Sequence, residues 1–158
     1  MLRILDIVPG TSVDGPGLRT AIYFAGCSHN CPGCHNPSSH DFAGGREMTI
    51  EDIVSVIEDY GFNVTYSGGD PLQQDPELLT ELSRRLTECG YNLWCYTGYN
   101  YEHVICHPAL KYIDVLVDGP FIEEQRDPSL IFKGSVNQRL IDLKMSTRDD
   151  IVEWKSDF

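Results

Sequence analysis

The chain is predicted to be an α/β protein, folded as a small partial (open) β/α barrel of mostly parallel strands. Three observations predict this. Short apolar runs alternate with helical stripes along the chain. The order strand, helix, strand, helix calls for parallel strands joined by crossovers. With 158 residues there are too few such units to close an eight-fold barrel. No repeat, low-complexity tract or linker breaks the pattern, so residues 1–158 are expected to form a single domain. A chain of this length buries roughly two-thirds of the surface its unfolded form exposes and needs no disulfide scaffold.

Taken in order, residues 2–8 read as a short strand or arm and "TAIYFA" (20–25) as a buried strand. Ile50, Ile53, Val54, Ile57 and Tyr60 recur on one face of a helix, with Thr49 and Asp52 as its start signal and Gly61 as its stop. "FNVTY" (62–66) is the next strand. A second helix starts at Asp75 and Pro76, a capping residue followed by proline in the first turn, and turns Leu78, Leu79, Leu82 and Leu86 inward before ending at Gly90. "YNLWCY" (91–96) is a strand, a short helix follows near 101–106, and "YIDVLV" (112–117) is a further strand. A last strand is expected near 138–143, and Ser146 or Thr147 is expected to cap a final short helix.

Four loops stand out because each directly follows a predicted strand: "GCSHNCPGCHN", "SGGD", "YTGY" and "DGPF". In parallel α/β folds such strand ends share one rim, where binding sites collect. The four loops are therefore expected to face one cavity. "VDGPG" (13–17) reads as a turn, and the histidines as surface or loop residues.

The bulk properties narrow the function classes. A formal charge of −12 argues against binding a nucleic-acid backbone, which rewards basic surfaces. No apolar stretch approaches the roughly 18 residues of a membrane span, and the first ten residues lack the small-residue cleavage site of a signal peptide. A cytoplasmic location is expected. There the six cysteines are better read as metal ligands or catalysts than as disulfide partners.

Three of the six sit in one short loop, Cys27, Cys31 and Cys34, with C-x3-C-x2-C spacing. Thiolates select zinc, copper(I) or iron–sulfur clusters. A structural zinc site wants four ligands, and His29, His35 or His40 can complete a Cys3His set. Zinc modules, however, usually present two separated ligand pairs. An iron–sulfur electron carrier also needs four protein ligands per cluster, and Cys89, Cys95 and Cys106 are poor candidates for the fourth; Cys89 and Cys95 lie on or beside predicted regular elements, where a buried apolar role is expected. Three thiolates on one loop suit a cubane cluster with one iron left open to bind something else. A zinc-binding module and an electron-transfer module remain the alternatives at this point.

The cysteine loop after the first strand, with "GGD" after the next, resembles the radical S-adenosylmethionine superfamily. "VDGPGLRTAIYFAGCSHNCPGCHNP", "SGGDPL", "YTGY", "VLVDGPF" and "DPSLIFKGSVNQRLIDL" narrow the resemblance to the family of activating proteins of anaerobic (class III) ribonucleoside-triphosphate reductases. These segments keep one order across residues 7–143. Two features depart from the general superfamily pattern: Gly33 stands where an aromatic often precedes the third cysteine, and Asp70 where a glutamate is common.

The resemblance implies a radical SAM fold and a [4Fe-4S] cluster on Cys27, Cys31 and Cys34. It implies S-adenosyl-L-methionine beside Ser67, Gly68, Gly69 and Thr97, with Asp70 meeting the ammonium of its methionine part. Asn36 is expected to orient the cysteine loop through side-chain hydrogen bonds. The implied activity is reductive cleavage of S-adenosylmethionine and hydrogen abstraction from a glycine of the reductase, creating a glycyl radical. No catalytic residue beyond the cluster ligands is expected. The implied partners are the reductase and a flavodoxin- or ferredoxin-like reductant. Activation of a different glycyl-radical enzyme is the alternative within the superfamily.

Overall fold

A computed structural model describes residues 1–29 and 40–155. Seven strands form one sheet: β1 (Leu2–Thr11), β2 (Arg19–Phe24), β3 (Arg46–Met48), β4 (Asn63–Gly68), β5 (Leu93–Tyr96), β6 (Val115–Asp118) and β7 (Arg139–Asp142). Their order across the sheet is β3-β1-β2-β4-β5-β6-β7. The central four, β2, β4, β5 and β6, run parallel, while β1 and β3 on one side and β7 on the other are antiparallel. The sheet is left open between β3 and β7, as an incomplete barrel.

Two helices cover one face, and each forms for the reasons written in its sequence. Helix α1 (Ile50–Tyr60) starts where the Thr49 hydroxyl accepts from the Asp52 N–H at 3.1 Å, and it stops at Gly61. Its Ile53, Val54 and Ile57 are buried, whereas Tyr60 is exposed, so the inward stripe is one residue narrower than the periodicity suggests. Helix α2 (Pro76–Glu88) is capped by the Asp75 carboxylate, which accepts from Glu77 and Leu78. Leu79, Leu82 and Leu86 are buried, and Leu78 lies only partly covered at the margin. These side chains meet Ile22, Phe24, Val64, Tyr66, Leu93, Cys95, Leu116 and Ile141 from the sheet, making the main core. A short helix, α3 (Tyr101–Val104), follows β5.

The opposite, concave face carries a smaller cluster. Trp94, Val115 and Val117 pack there with Phe132 and Trp154. The Trp94 ring lies 4.9 Å from that of Trp154 and 5.4 Å from that of Phe132, both edge to face. This contact explains a difference from the sequence-based expectation. No final helix forms at 146 among the described residues; instead the chain turns on Asp142, whose carboxylate accepts from Lys144 and Met145, and returns extended. The Trp154 N–H then donates to the Leu140 carbonyl at 2.7 Å. Partly covering the Trp154 indole against Trp94 outweighs the slight gain of one isolated helical turn. Two further differences are the length of β1, which reaches Thr11, and the unexpected edge strand β3.

Arg19 anchors the concave face and is 1% exposed. Its guanidinium donates to Thr65 Oγ1 at 2.8 Å, to the Val64 carbonyl at 2.8 Å and to the Asn92 carbonyl at 3.0 Å. It also lies over the Trp94 ring, 5.6 Å from the centroid. Burial lowers its pKa to about 10, opposed by the charge of Asp114. Thr65 Oγ1 in turn donates to the Asp14 carbonyl at 2.9 Å, which ties residues 13–17 across the concave face. Arg19→Met is expected to destabilise the chain by about 3 kcal/mol, because several buried acceptors lose their donor at once. A urea unfolding midpoint equal to that of the parent chain would refute this account of the anchor.

Candidate active site

The parallel strands end at one rim, and the backbone stitches their loops together there. The Gly69 N–H donates to the Phe24 carbonyl and the Asp70 N–H to the Gly26 carbonyl, each at 2.8 Å. The Thr97 N–H bonds the Val117 carbonyl at 3.0 Å, and the Gly119 N–H bonds the Tyr99 carbonyl at 2.8 Å. Above this rim lies a cavity of about 480 Å³, within the size range of small-molecule sites. Cys27, Ser67, Gly68, Gly69 and Thr97 border it, as do Gly98 and Gly119. All four strand-end loops therefore contribute to one space.

The predicted site residues divide by place. Cys27, Ser67, Gly68, Gly69 and Thr97 come together at the cavity wall. Cys31, Cys34 and Asn36 lie outside the described residues. Asp70 is fully buried beneath the rim and does not border the cavity. Its carboxylate accepts from Thr97 Oγ1 at 3.0 and 2.9 Å, from the Gly98 N–H at 2.9 Å and from the Leu72 N–H at 3.0 Å. His29 Nε2 stands 2.5 Å from Asp70 Oδ2. Charge-assisted bonds of this kind compensate a buried carboxylate.

Gly68 is required by its neighbour strand as much as by any ligand. It has φ +96°, and a Cβ there would meet the Phe24 backbone nitrogen at 2.4 Å and oxygen at 2.5 Å. Glycine thus lets β4 run hard against the end of β2, where the cysteine loop begins.

Further residues line the cavity, His29 among them. His29 reads as a loop histidine in sequence, yet it bridges two loops. The turn at 13–17 supplies Val13 and Asp14 to the cavity wall, facing Tyr23. Burial raises the Asp14 pKa, and burial next to Asp14 raises that of Tyr23, whose hydroxyl lies 3.4 Å from Asp14 Oδ2. On the far wall the Tyr96 hydroxyl donates to the Phe132 carbonyl at 2.5 Å, which holds the segment carrying Leu130, Phe132, Lys133 and Gly134 against the cavity. Lys133 is the only lysine or arginine among the described lining residues, and its Nζ donates to the Gln138 carbonyl at 2.9 Å. Asp118 serves the frame: it accepts from the Tyr101 N–H and is paired with Arg139.

The remaining cysteines stay apart from this rim. Cys95 is buried under β5, and burial, then Asp70, raise its thiol pKa well above the usual value. Cys89 and Cys106 are exposed, so the buried apolar role expected for Cys89 does not hold. The Cys89 thiol instead donates to Glu58 Oε1 at 3.4 Å. Among the described residues no group of three or more His, Cys, Asp or Glu side chains is arranged to hold a metal. The Cys27 thiol at the cavity wall, with Cys31 and Cys34 close to it in sequence and glycines beside it, is a donor set that fits an iron–sulfur cluster.

Comparison with known proteins points the same way. Residues 13–141 match the family of 4Fe-4S single cluster domains. The chain is 36% identical over 148 residues to the anaerobic ribonucleoside-triphosphate reductase-activating protein of Salmonella typhi, covering 87% of this chain and 96% of that one. The Escherichia coli K12 protein of the same name is 38% identical over 141 residues, 82% of this chain and 92% of its own. The one from enterobacteria phage T4 is 32% identical over 160 residues, 96% of this chain and 97% of its own. Among solved structures, QueE from Escherichia coli shares the fold, with a TM-score of 0.51 and 21% identity over 61% of this chain and 52% of that chain. The chain belongs to the family of anaerobic ribonucleoside-triphosphate reductase-activating proteins, radical S-adenosylmethionine enzymes of the single 4Fe-4S cluster type.

Proposed function

We propose that this chain activates an anaerobic ribonucleoside-triphosphate reductase by converting one of its glycines into a glycyl radical. The observation that carries the reading is the convergence of Cys27, Gly68, Gly69 and Thr97 on one cavity at the parallel strand ends. Cys27, Cys31 and Cys34 hold a [4Fe-4S] cluster in this reading. When bound, the cluster would supply the electron for reductive cleavage of S-adenosylmethionine, the chemistry from which the glycyl radical would arise.

The chain's own residues bind, orient and exclude water. Gly68 and Gly69 bring backbone close to the methionine part, and Ser67 and Thr97 offer hydroxyls at the same wall. Asp70 contributes its negative charge to the ammonium from beneath the rim. Phe121, Leu130 and Phe132 make the far wall apolar, which keeps water from the reacting carbon. The side of the barrel left open between β3 and β7 suits a substrate that is itself a protein loop. One domain spanning residues 1–158 carries these parts, and Asn36 orients the cysteine loop. Electrons come from a flavodoxin- or ferredoxin-like reductant in the cytoplasm. No helix among the described residues is long and apolar enough to cross a membrane.

The test mixes anaerobically reduced protein, S-adenosylmethionine and the reductase, then records an electron paramagnetic resonance spectrum. A glycyl-radical doublet is expected, together with free 5′-deoxyadenosine. Release of 5′-deoxyadenosine without the doublet would assign the enzyme to another target. Zinc in place of iron and sulfide would overturn the whole reading.

A further inference from the structure

His29 stands between two of the proposed ligands, Cys27 and Cys31, yet its side chain points back into the protein and is 17% exposed. Nε2 contacts Asp70 Oδ2, and the ring packs edge to face on Tyr99 with centroids 4.5 Å apart. Gly98 makes the seat possible, since a Cβ at that position would lie 2.6 Å from His29 Cδ2. The preceding residue is held as well. The Ser28 N–H donates to Gln73 Oε1 at 2.9 Å, and Gln73 Nε2 donates to Ser28 Oγ at 2.9 Å and to the Tyr99 hydroxyl at 3.1 Å. The anchor point does not yield, because Asp70 is buried and already held by Thr97, Gly98 and Leu72.

Three thiolates drawn from one loop repel one another, so the loop that carries them has to be held in place. Ordering such a loop costs conformational entropy that must be met elsewhere. We propose that His29 is a positioning residue. Through Asp70 it fastens residues 27–29 to the ends of β4 and β5, so that the Cys27 thiolate already faces the cavity when a cluster assembles. His29 borders the cavity, but its Nε2 is directed to Asp70, so it acts on the cluster through the loop, as outer partners of metal ligands do. The inference rests on the cluster reading above.

The test follows iron in anaerobically reconstituted protein. Parent chain, His29→Ala, His29→Gln and Gly98→Ala are compared for iron and sulfide content and for the rate of iron loss to a ferrous chelator. The spectrum of the reduced cluster is recorded with and without S-adenosylmethionine. His29→Ala is expected to lose iron about tenfold faster, the lower end of the scale for such partners, and to show a broadened response to the nucleoside. His29→Gln, whose amide nitrogen reaches the Nε2 position, is expected to behave like the parent. Gly98→Ala, which displaces the ring while leaving His29 and Asp70 in place, is expected to resemble His29→Ala.

Parent-like iron retention and spectra in both alanine variants would overturn the proposal, as would a glutamine variant as leaky as His29→Ala. Thermal melting without iron shows whether each variant folds; where His29→Ala does not, Gly98→Ala decides. A parent chain that takes up no cluster overturns the cluster reading itself, whereas iron-loss rates and spectra that are equal in all four chains overturn only the role of His29.

Discussion

Cys27→Ala is expected to lose the cluster and S-adenosylmethionine cleavage together while the chain stays folded. Cys27 sits half-buried in the loop just beyond β2, outside both apolar clusters. Its loss leaves two thiolates on the loop, and the described residues hold no preassembled group of acidic, histidine or cysteine side chains to replace it. Anaerobic reconstitution should therefore drop from about four irons per chain to nearly none, with the brown colour gone. Cys31→Ala and Cys34→Ala are expected to do the same. Cys89→Ala and Cys106→Ala, which alter exposed thiols far along the chain, should keep both cluster and cleavage. Full cleavage by the Cys27 variant would refute the ligand assignment, and loss of the cluster in either control would show that other cysteines hold it.

Gly68→Ala is expected to be the most damaging single methyl group at this rim. Two effects add. A φ of +96° is a conformation that side-chain-bearing residues resist, and the new Cβ would press on the Phe24 backbone at 2.4 Å. Backbone cannot swing aside as a flexible side chain can, so either β2 separates from β4 or the end of β4 shifts. Together the cost should be about 2–4 kcal/mol, which for a chain of this size lowers the melting temperature by roughly 5–15 °C. Movement of Phe24 is passed on to Cys27 three residues later, so the surviving folded protein should also reconstitute poorly. Parent-like melting and iron content in this variant would mean that the contact between the two strand ends is looser than described.

The elements read from periodicity and caps are those that local chemistry decides. Thr49, Asp75, Pro76 and Gly61 set helix ends through bonds to their own neighbours, and the parallel sheet follows from strands too far apart for hairpins. Where the reading failed, distant partners decided. The segment after β7 extends instead of coiling because Trp154 meets Trp94, sixty residues earlier in the chain. Residues 13–17 look like a turn, but Thr65 and Arg19 draw them onto the concave face and make them cavity wall.

The sequence by itself determined the chemistry available: three sulfur donors in one loop, glycines at strand ends, and four unusual loops bound by parallel topology for a common rim. Those properties depend on residue type and on spacing along the chain, which a sequence carries in full. Only the tertiary structure decided how the rim is held. It sets Asp70 under the cavity wall instead of on it, turns His29 inward toward that carboxylate, and makes Gly68 a necessity of strand contact. Each of these is a meeting of groups 27 to 44 positions apart, and the free energy of such a meeting depends on burial that no local stretch of sequence records.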